Sequence, residues 1–231
     1  MSSAPAAPPT GRHRPTPILY IITDRHATRG RPLDGVLARA LDGAAAAGVT
    51  PGTIAVQLRE KDLEARAMLE LARPLRALTA RFGAAFFVND RVDVALAAGA
   101  DGVHLAGTSM TPPEVAALAP EMAVAVSVHG TAELTRAAGH PQVAFAVLGP
   151  IFATPSKASF GPPLGLEVLA AATKQSLPVL ALGGVTVENS RACLAAGAVG
   201  IACISAVLAA PDPETIAFRF CREILRGAPP P

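Results

Sequence analysis

The feature that most constrains the fold of this chain is a series of eight short apolar runs, separated by longer amphipathic segments. Short runs of Val, Ile, Leu, Ala and Phe are typical of buried strands, and Ala/Leu/Arg-rich periodic segments are typical of helices. The predicted strands are Ile18–Thr23, Ile54–Arg59, Ala85–Val88, Gly102–Leu105, Ala123–Ser127, Phe145–Leu148, Val179–Leu182 and Gly200–Ile204. The predicted helices are Leu33–Ala47, Leu63–Phe82, Arg91–Ala98, Pro112–Ala119, Thr131–Ala138, Leu166–Thr173, Val187–Ala196 and Pro213–Leu225.

This alternation predicts an α/β fold, a parallel sheet that closes as a (β/α)8 barrel, the TIM barrel. In such a barrel the active site lies on the loops at the carboxyl ends of the strands, so polar residues at those ends are the functional candidates. A short repeat supports equivalent units, because LAAGADGVHL (96–105) resembles LAAGAVGIACI (194–204). The candidate residues at strand ends are Asp24, Arg59, Lys61, Asn89, Asp90, Ser127, His129, Gly183 and Gly184.

Length and composition predict one water-soluble domain. The 231 residues suit a single barrel over 18–226, preceded by a disordered Pro/Ala-rich tail over 1–17 and followed by a flexible end over 227–231. A net charge of +2 argues against a nucleic-acid surface, and no uninterrupted apolar stretch is long enough to cross a membrane. A homodimer is compatible with the sequence.

The cysteines predict a reducing compartment. Cys193, Cys203 and Cys221 form no zinc-binding spacing and are odd in number, which is typical of small buried side chains. With no signal peptide in the first residues, the expected location is the cytoplasm.

The second predicted strand carries a candidate diphosphate site. Gln57, Arg59 and Lys61 alternate in VQLREKD (56–62) and therefore share one face, while Val56 and Leu58 face the helices. A guanidinium and an ammonium suit a diphosphate, although an outward solvent-exposed face would also accommodate these side chains.

Two further strand ends carry polar pairs. Asn89 and Asp90 could hold a magnesium ion and a phosphate oxygen, or Asp90 could cap the following helix. Ser127 and His129 end the fifth strand, where His129 could donate to an anion or move a proton, or could form a structural hydrogen bond.

The last loops favour phosphate binding. Backbone N–H groups of Gly183, Gly184, Ile204 and Ser205 follow strands seven and eight, the usual phosphate position in this barrel. The long connection 149–165 contains Thr154, Ser156 and Lys157, which favours a loop closing over phosphate, with a polar surface insertion as the alternative.

Eight of these segments, in order, resemble the thiamine phosphate synthase family: ILYIITDR, VQLREK, FVNDRVDVALAAGADGVHL, VSVH, LGPIFATPSK, PPLGLE, LALGGVTVEN and AGAVGIACIS. The resemblance covers about residues 18–226 and implies a coupling of hydroxymethylpyrimidine diphosphate to thiazole phosphate, with release of pyrophosphate. It implies that Gln57, Arg59, Lys61, Asn89, Ser127 and Lys157 bind pyrophosphate. Thr154 and Ser156 would contact one or both substrates, Gly184, Ile204 and Ser205 would hold the thiazole phosphate, and Asp90 would bind Mg²⁺.

The resemblance breaks after the fourth strand. The synthases read GVHLGQ followed by a second acidic metal ligand, whereas this chain reads GVHLAGTSMTP, with Gly107 and Ser109 at those positions. A hydroxyl is a poor ligand for Mg²⁺ compared with a carboxylate. This stretch is more similar to the thiazole tautomerase of the same superfamily, in which His129 would shuttle a proton. The synthase is favoured by Lys61, Asp90 and the Thr154–Lys157 loop; the alternatives are the tautomerase and a non-catalytic phosphate-binding barrel.

Overall fold

The computed structural model describes residues 16–154 and 161–227 and contains a closed barrel of eight parallel strands. Each strand pairs with the next in the chain, and the last pairs with the first, which confirms the predicted (β/α)8 barrel. Every predicted strand is present, with ends that differ by at most two residues. The strands are β1 (Leu19–Ile22), β2 (Ile54–Leu58), β3 (Ala85–Asn89), β4 (Gly102–Leu105), β5 (Ala123–Val128), β6 (Val143–Leu148), β7 (Val179–Ala181) and β8 (Gly200–Cys203).

The helices surround the barrel, and each predicted helix is present. A four-residue helix, α8, lies between β8 and the last long helix; its SAVL sequence is too short to show helical periodicity. A 3-10 turn, Arg25–Thr28, follows β1, with the Asp24 carboxylate accepting from the N–H of His26 at 3.0 Å. The helices are α1 (Leu33–Ala46), α2 (Ala65–Arg81), α3 (Val92–Ala97), α4 (Pro112–Leu118), α5 (Thr131–Ala138), α6 (Gly165–Ala172), α7 (Val187–Ala195), α8 (Ser205–Leu208) and α9 (Pro213–Gly227).

The apolar core has two parts, because successive strand residues point to opposite faces of the sheet. The larger part lies between strands and helices. The smaller part fills the barrel interior, where Tyr20, Phe87 and Phe145 make edge-to-face contacts with ring centroids 5.3–5.7 Å apart. Aromatic side chains thus close the centre of the barrel, and polar groups face inward at its carboxyl end, called here the mouth.

The repeated LAAGA segments occupy equivalent places before β4 and β8. Gly99 and Gly197 both follow a helix with positive φ, at 62° and 93°. At the opposite end of the barrel from the mouth, Asp101 accepts from the N–H of Phe86 at 2.8 Å and from the Arg76 guanidinium at 3.1 and 3.3 Å. This contact joins α2, β3 and the start of β4 at the end remote from the candidate site.

Part of the predicted segments falls outside the described residues. These are 1–15 of the predicted N-terminal tail, 228–231 at the C-terminus, and 155–160 in the long connection, which includes Ser156 and Lys157. Within the described part of the chain, no helix is long and apolar enough to span a membrane.

Candidate active site

The alternation predicted for β2 is present. Val56 and Leu58 are fully buried against the helices, whereas Gln57 is 1% exposed and points inward. Arg59 continues the inward face, half-buried, and Lys61 lies exposed in the turn beyond it. The inward face of this strand therefore carries polar groups from the barrel interior to the mouth.

An amide pair links β2 to β3 inside the mouth. The Nε2 of Gln57 donates to the Oδ1 of Asn89 at 2.9 Å. Among the described residues, the Oε1 of Gln57 is the one buried side-chain oxygen or nitrogen with no hydrogen-bond partner. An unpaired buried acceptor is costly unless a donor reaches it, so this oxygen marks a place for a ligand N–H or O–H group.

A second polar line links β1, β4 and β5. The Tyr20 hydroxyl lies 3.2 Å from the Nδ1 of His104, whose Nε2 lies 2.8 Å from the Oγ of Ser127. His104 is 2% exposed, and burial, with the positive charge of Arg59 as a second cause, lowers the pKa of its imidazole to about 3. His104 is therefore neutral near pH 7 and carries one ring proton.

Behind the mouth, a buried carboxylate fixes the backbone of the basic segment. Glu60 is 2% exposed, accepts from the Thr23 hydroxyl at 2.7 Å, and accepts from both the backbone N–H and the guanidinium of Arg25 at 3.0–3.1 Å. The Thr23 hydroxyl oxygen in turn accepts from the backbone N–H of Arg59 at 2.9 Å. Arg25 also pairs with Asp62, which holds the pKa of that carboxyl below its usual range. These contacts tie the loops after β1 and β2 together where Arg59 and Lys61 emerge.

Asp90 stands at the mouth in an unusual backbone conformation. Its φ is 66°, in the left-handed region that Asp and Asn enter more readily than most residues, and its N–H donates to the carbonyl of His104 at 2.9 Å. Helix α3 begins after Arg91 and has no side-chain cap, so Asp90 does not cap it. Its exposed carboxylate accepts no hydrogen bond from any described residue, whereas the Oγ of Ser109 is engaged within its own turn, accepting from the N–H of Ala106 at 2.8 Å.

His129 contacts the loop after β6. Its Nδ1 lies 2.7 Å from the carbonyl oxygen of Gly149, which accepts only if Nδ1 carries the proton. Its backbone N–H donates to the Glu133 carboxylate at 2.7 Å. These bonds fix the ring and leave Nε2 as the unprotonated nitrogen of the neutral form, a nitrogen that could accept a proton.

The loops after β7 and β8 present backbone N–H groups at the mouth. Gly183 and Gly184 have φ values of 93° and 65°, and a Cβ at Gly184 would lie 2.6 Å from the carbonyl oxygen of Ala153. The N–H groups of Gly183, Gly184 and Ile204 donate to no other residue in the described ranges. Ser205 begins α8 beside them, so an anion could be bound here by amides.

The predicted residues thus fall into three groups. In the first group, Gln57 is hydrogen-bonded to Asn89, and Ser127 is hydrogen-bonded to His104, on whose ring the positive charge of Arg59 acts. The other described candidates follow strands at the same rim and form the second group, and the third group, Ser156 and Lys157, lies outside the described residues. The rim candidates are Lys61, Asp90, His129, Thr154, Gly184, Ile204 and Ser205.

Sequence reasoning did not single out Tyr20, His104, Glu60 or Arg25. A signal for His104 was present, because a polar residue sits at an alternate position of the buried run GVHL and must face the barrel interior. Glu60 gave a misleading signal, since a carboxylate between two basic residues usually lies in water, and its partner Arg25 is 35 positions away.

Comparison with known proteins shows which family this chain resembles in sequence and fold. Residues 19–207 match the family model described as thiamine monophosphate synthase. A putative thiamine-phosphate synthase of Geobacter sulfurreducens is 49% identical over 218 residues, covering 92% of this chain and 94% of that protein. A thiamine-phosphate synthase of Roseiflexus castenholzii is 43% identical over 216 residues, covering 92% and 89%. The solved thiamine phosphate pyrophosphorylase of Pyrococcus furiosus superimposes with a TM-score of 0.79 at 34% identity, covering 90% of this chain and 96% of that one.

Proposed function

Because the chain belongs to the thiamine monophosphate synthase family, we propose that it couples hydroxymethylpyrimidine diphosphate to thiazole phosphate, giving thiamine phosphate and pyrophosphate. The observation that carries this proposal is the polar layer inside the mouth. There a guanidinium, an amide pair and a hydroxyl lie directly above an apolar barrel interior, with an unpaired buried acceptor among them. Such a layer suits a substrate that has a flat ring below and a diphosphate above.

The diphosphate would be bound by Arg59, Lys61, Asn89 and Ser127, with Lys157 from outside the described residues. Support comes from the fixed backbone of Arg59 and from its charge near His104, which is hydrogen-bonded to Ser127. A guanidinium can form two parallel hydrogen bonds to phosphate oxygens, and its charge offsets the charge of the leaving group.

We assign Gln57 to the pyrimidine ring rather than to the diphosphate. As the amides are oriented, its nitrogen is used by Asn89 and its unpaired atom is an oxygen, which accepts and does not donate. Phosphate oxygens cannot satisfy an acceptor, whereas the exocyclic amine of the pyrimidine can. Pairing this oxygen would select an amino-substituted ring.

The thiazole phosphate would lie across the mouth, on the N–H groups of Gly184, Ile204 and Ser205, with Thr154 and Ser156 contacting the substrates from the β6 loop. Three amide donors at the ends of β7 and β8 suit the oxygens of a phosphate monoester. This arrangement would place the thiazole nitrogen over the barrel, facing the pyrimidine.

The donor groups fit a magnesium ion shared with substrate rather than a site made by the protein alone. Residues 16–154 and 161–227 contain no cluster of three His, Cys, Asp or Glu suited to a metal. Mg²⁺ in phosphate chemistry commonly uses one or two carboxylates, substrate phosphates and water. Asp90 supplies one exposed carboxylate, and Ser109 supplies none. When bound, Mg²⁺ would neutralise charge on the leaving diphosphate.

The chemistry required of the protein is mainly electrostatic. The bond between the pyrimidine methylene carbon and the diphosphate oxygen breaks, pyrophosphate leaves with the electron pair, and the thiazole nitrogen bonds to the carbon. Arg59 and Lys61 would stabilise the departing charge, while the amides of the β7 and β8 loops hold the nucleophile in line. The apolar interior beneath would limit access of water to the cationic carbon.

The test is formation of pyrophosphate from both substrates, with and without Mg²⁺. Arg59→Ala and Lys61→Ala should abolish coupling without lowering the melting temperature, because both heads face ligand and solvent. Lys174→Ala, an exposed residue after α6, serves as the control and should leave the rate unchanged.

Other outcomes would indicate the other candidate functions. No pyrophosphate, with isomerisation of the thiazole carboxylate that His129→Ala abolishes, would establish the tautomerase. Neither activity, with retained phosphate binding, would establish a non-catalytic barrel. We also propose a cytoplasmic location, consistent with three buried, unpaired cysteines, and sedimentation would decide between a monomer and a homodimer.

A further inference from the structure

The line from Tyr20 through His104 to Ser127 has a direction that the structure determines. Tyr20 is fully buried and its hydroxyl has one hydrogen. Within the described part of the chain, the one hydrogen-bond partner of that hydroxyl is the Nδ1 of His104. The ring is neutral and holds its single proton on one of two nitrogens, so the line can run one way or the other.

The two directions differ in what they leave unpaired. If Nδ1 carried the proton, it would donate to the Tyr20 oxygen, and the phenolic hydrogen would be buried with no acceptor. If Nε2 carries the proton, Tyr20 donates to Nδ1 and Nε2–H donates to the Oγ of Ser127. The second arrangement gives the Tyr20 hydroxyl and both ring nitrogens of His104 a partner and avoids the cost of an unpaired buried donor.

We propose that Tyr20 and His104 are positioning residues that fix the Ser127 hydroxyl as a hydrogen-bond donor toward the diphosphate, an inference that rests on the proposed function. With its oxygen already accepting from His104, Ser127 has its own hydrogen left to give, and the half-exposed side of Ser127 is the mouth. A phosphate oxygen can only accept, so this is the direction that a diphosphate requires. The opposite direction would use the Ser127 hydrogen on His104.

The surroundings keep this arrangement in place. The Tyr20 ring lies nearly parallel to the imidazole, at 19°, and contacts Phe87 and Phe145 edge-to-face, so the phenol cannot easily turn away. The same burial and the neighbouring positive charge of Arg59 keep His104 from taking a second proton. A second proton on Nδ1 would remove the acceptor for Tyr20.

The tautomer can be read directly from ¹⁵N NMR of the full-length protein with labelled histidines. His104 is assigned by the signal missing in His104→Gln, and the protonated and unprotonated ring nitrogens have well-separated shifts. We expect a protonated Nε2 and an unprotonated Nδ1 that stay unchanged from pH 8 to pH 5. A protonated Nδ1 in the wild-type protein would overturn the proposal.

Binding of pyrophosphate with Mg²⁺ tests the consequence. Ser127→Ala should weaken binding about tenfold, the effect expected for a hydrogen bond to a charged group. Tyr20→Phe should weaken it about threefold and populate both tautomers of His104, because one acceptor has lost its donor. In the double variant, Tyr20→Phe should add nothing, since its effect acts through Ser127. Additive losses would contradict the proposal.

A matched control separates orientation from packing. Phe145→Leu disturbs the same aromatic cluster without touching a polar group, so it should lower the melting temperature and leave the tautomer of His104 unchanged. If it shifts the tautomer as Tyr20→Phe does, packing and not the hydroxyl sets the direction, and the proposal fails.

Failure of the proposed function would look different. Ser127-dependent pyrophosphate binding with the expected tautomer, but no coupling of the two substrates, would refute the synthase and leave the orientation intact. Coupling of the two substrates by a protein whose His104 is protonated on Nδ1 would support the synthase and refute the proposed orientation of Ser127.

Discussion

Replacement of Gly184 by alanine should damage both the fold and the phosphate site, and Gly48 offers a matched control. Both glycines have positive φ, at 65° and 80°. A Cβ at Gly184 would lie 2.6 Å from the carbonyl oxygen of Ala153 and 2.8 Å from the Cβ of Phe152. A Cβ at Gly48, which follows α1 at the other end of the barrel, would meet no atom within 4 Å. The pair therefore separates backbone strain from steric contact.

The expected magnitudes follow from these contacts. Left-handed backbone costs an alanine about 1–2 kcal/mol, and the stiffer unfolded chain returns about 0.4–1 kcal/mol, so Gly48→Ala should lose about 1 kcal/mol. For a chain of this size that is a melting temperature lower by about 2–4 °C. At Gly184 the added contact with the β6 loop should cost about 1–3 kcal/mol more, as overpacking does elsewhere.

The functional readout is the KM for thiazole phosphate at saturating pyrimidine diphosphate. Movement of the β6 or β7 loop away from the new methyl group would displace the amide donors, so Gly184→Ala should raise this KM at least about tenfold. Gly48→Ala should leave it unchanged. Equal losses of stability in the two variants would show that the loop contact is absent, and an unchanged KM would show that phosphate is not bound there.

Three further predictions concern the metal, the far end of the barrel and pH. Ser109→Asp should lower the Mg²⁺ concentration needed for half-maximal coupling about three- to tenfold, because it adds a second carboxylate to the rim that carries Asp90; an identical titration would exclude a metal there. Asp101→Asn should lower the free energy of unfolding by about 1–3 kcal/mol by weakening its bond to Arg76, without changing either KM; an altered KM would contradict its structural role. Burial lowers the pKa of His104 to about 3 in the folded protein, whereas a histidine in the unfolded chain has a pKa of about 6.5. Between these two pH values the unfolded chain therefore binds more protons than the folded protein. The contribution of neutral His104 to the free energy of unfolding is complete above about pH 6.5. It is lost as the pH falls toward 3, by at most about 1.4 kcal/mol per pH unit. His104→Gln should flatten this dependence in acid denaturation, and an unchanged slope would refute it.

The fold was predictable because its signals are local. Apolar runs of strand length between amphipathic segments specify eight units, and the glycines at 99 and 197 do have the positive φ expected after helices. The two faces of β2 followed from alternation alone, and Val56 and Leu58 lie against the helices as predicted. The four-residue helix α8 and the 3-10 turn Arg25–Thr28 are too short to give a periodic signal.

The candidate site was predictable in position but not in its hydrogen bonds. Polar residues at the carboxyl ends of parallel strands lie at one rim of the barrel. The hydrogen-bond partner of each residue, however, depends on which strand is its neighbour and on the register between the two strands. The contact of Gln57 with Asn89 crosses 32 positions, and that of Tyr20 with His104 crosses 84. Such pairs, and the direction in which their protons point, require the closed barrel and cannot be obtained from either segment alone.

The residues at the end of β2 and in the turn after it alternate between two surroundings. Gln57 and Arg59 face the mouth, while Glu60 is buried against Thr23 and Arg25. A single-residue insertion or deletion here should therefore reduce both stability and activity, because it would turn every following side chain to the other face. The basic side chains would then face the helices, and an apolar side chain would face the mouth. Attempts to redesign which substrate this barrel accepts should vary only alternate positions and keep the spacing.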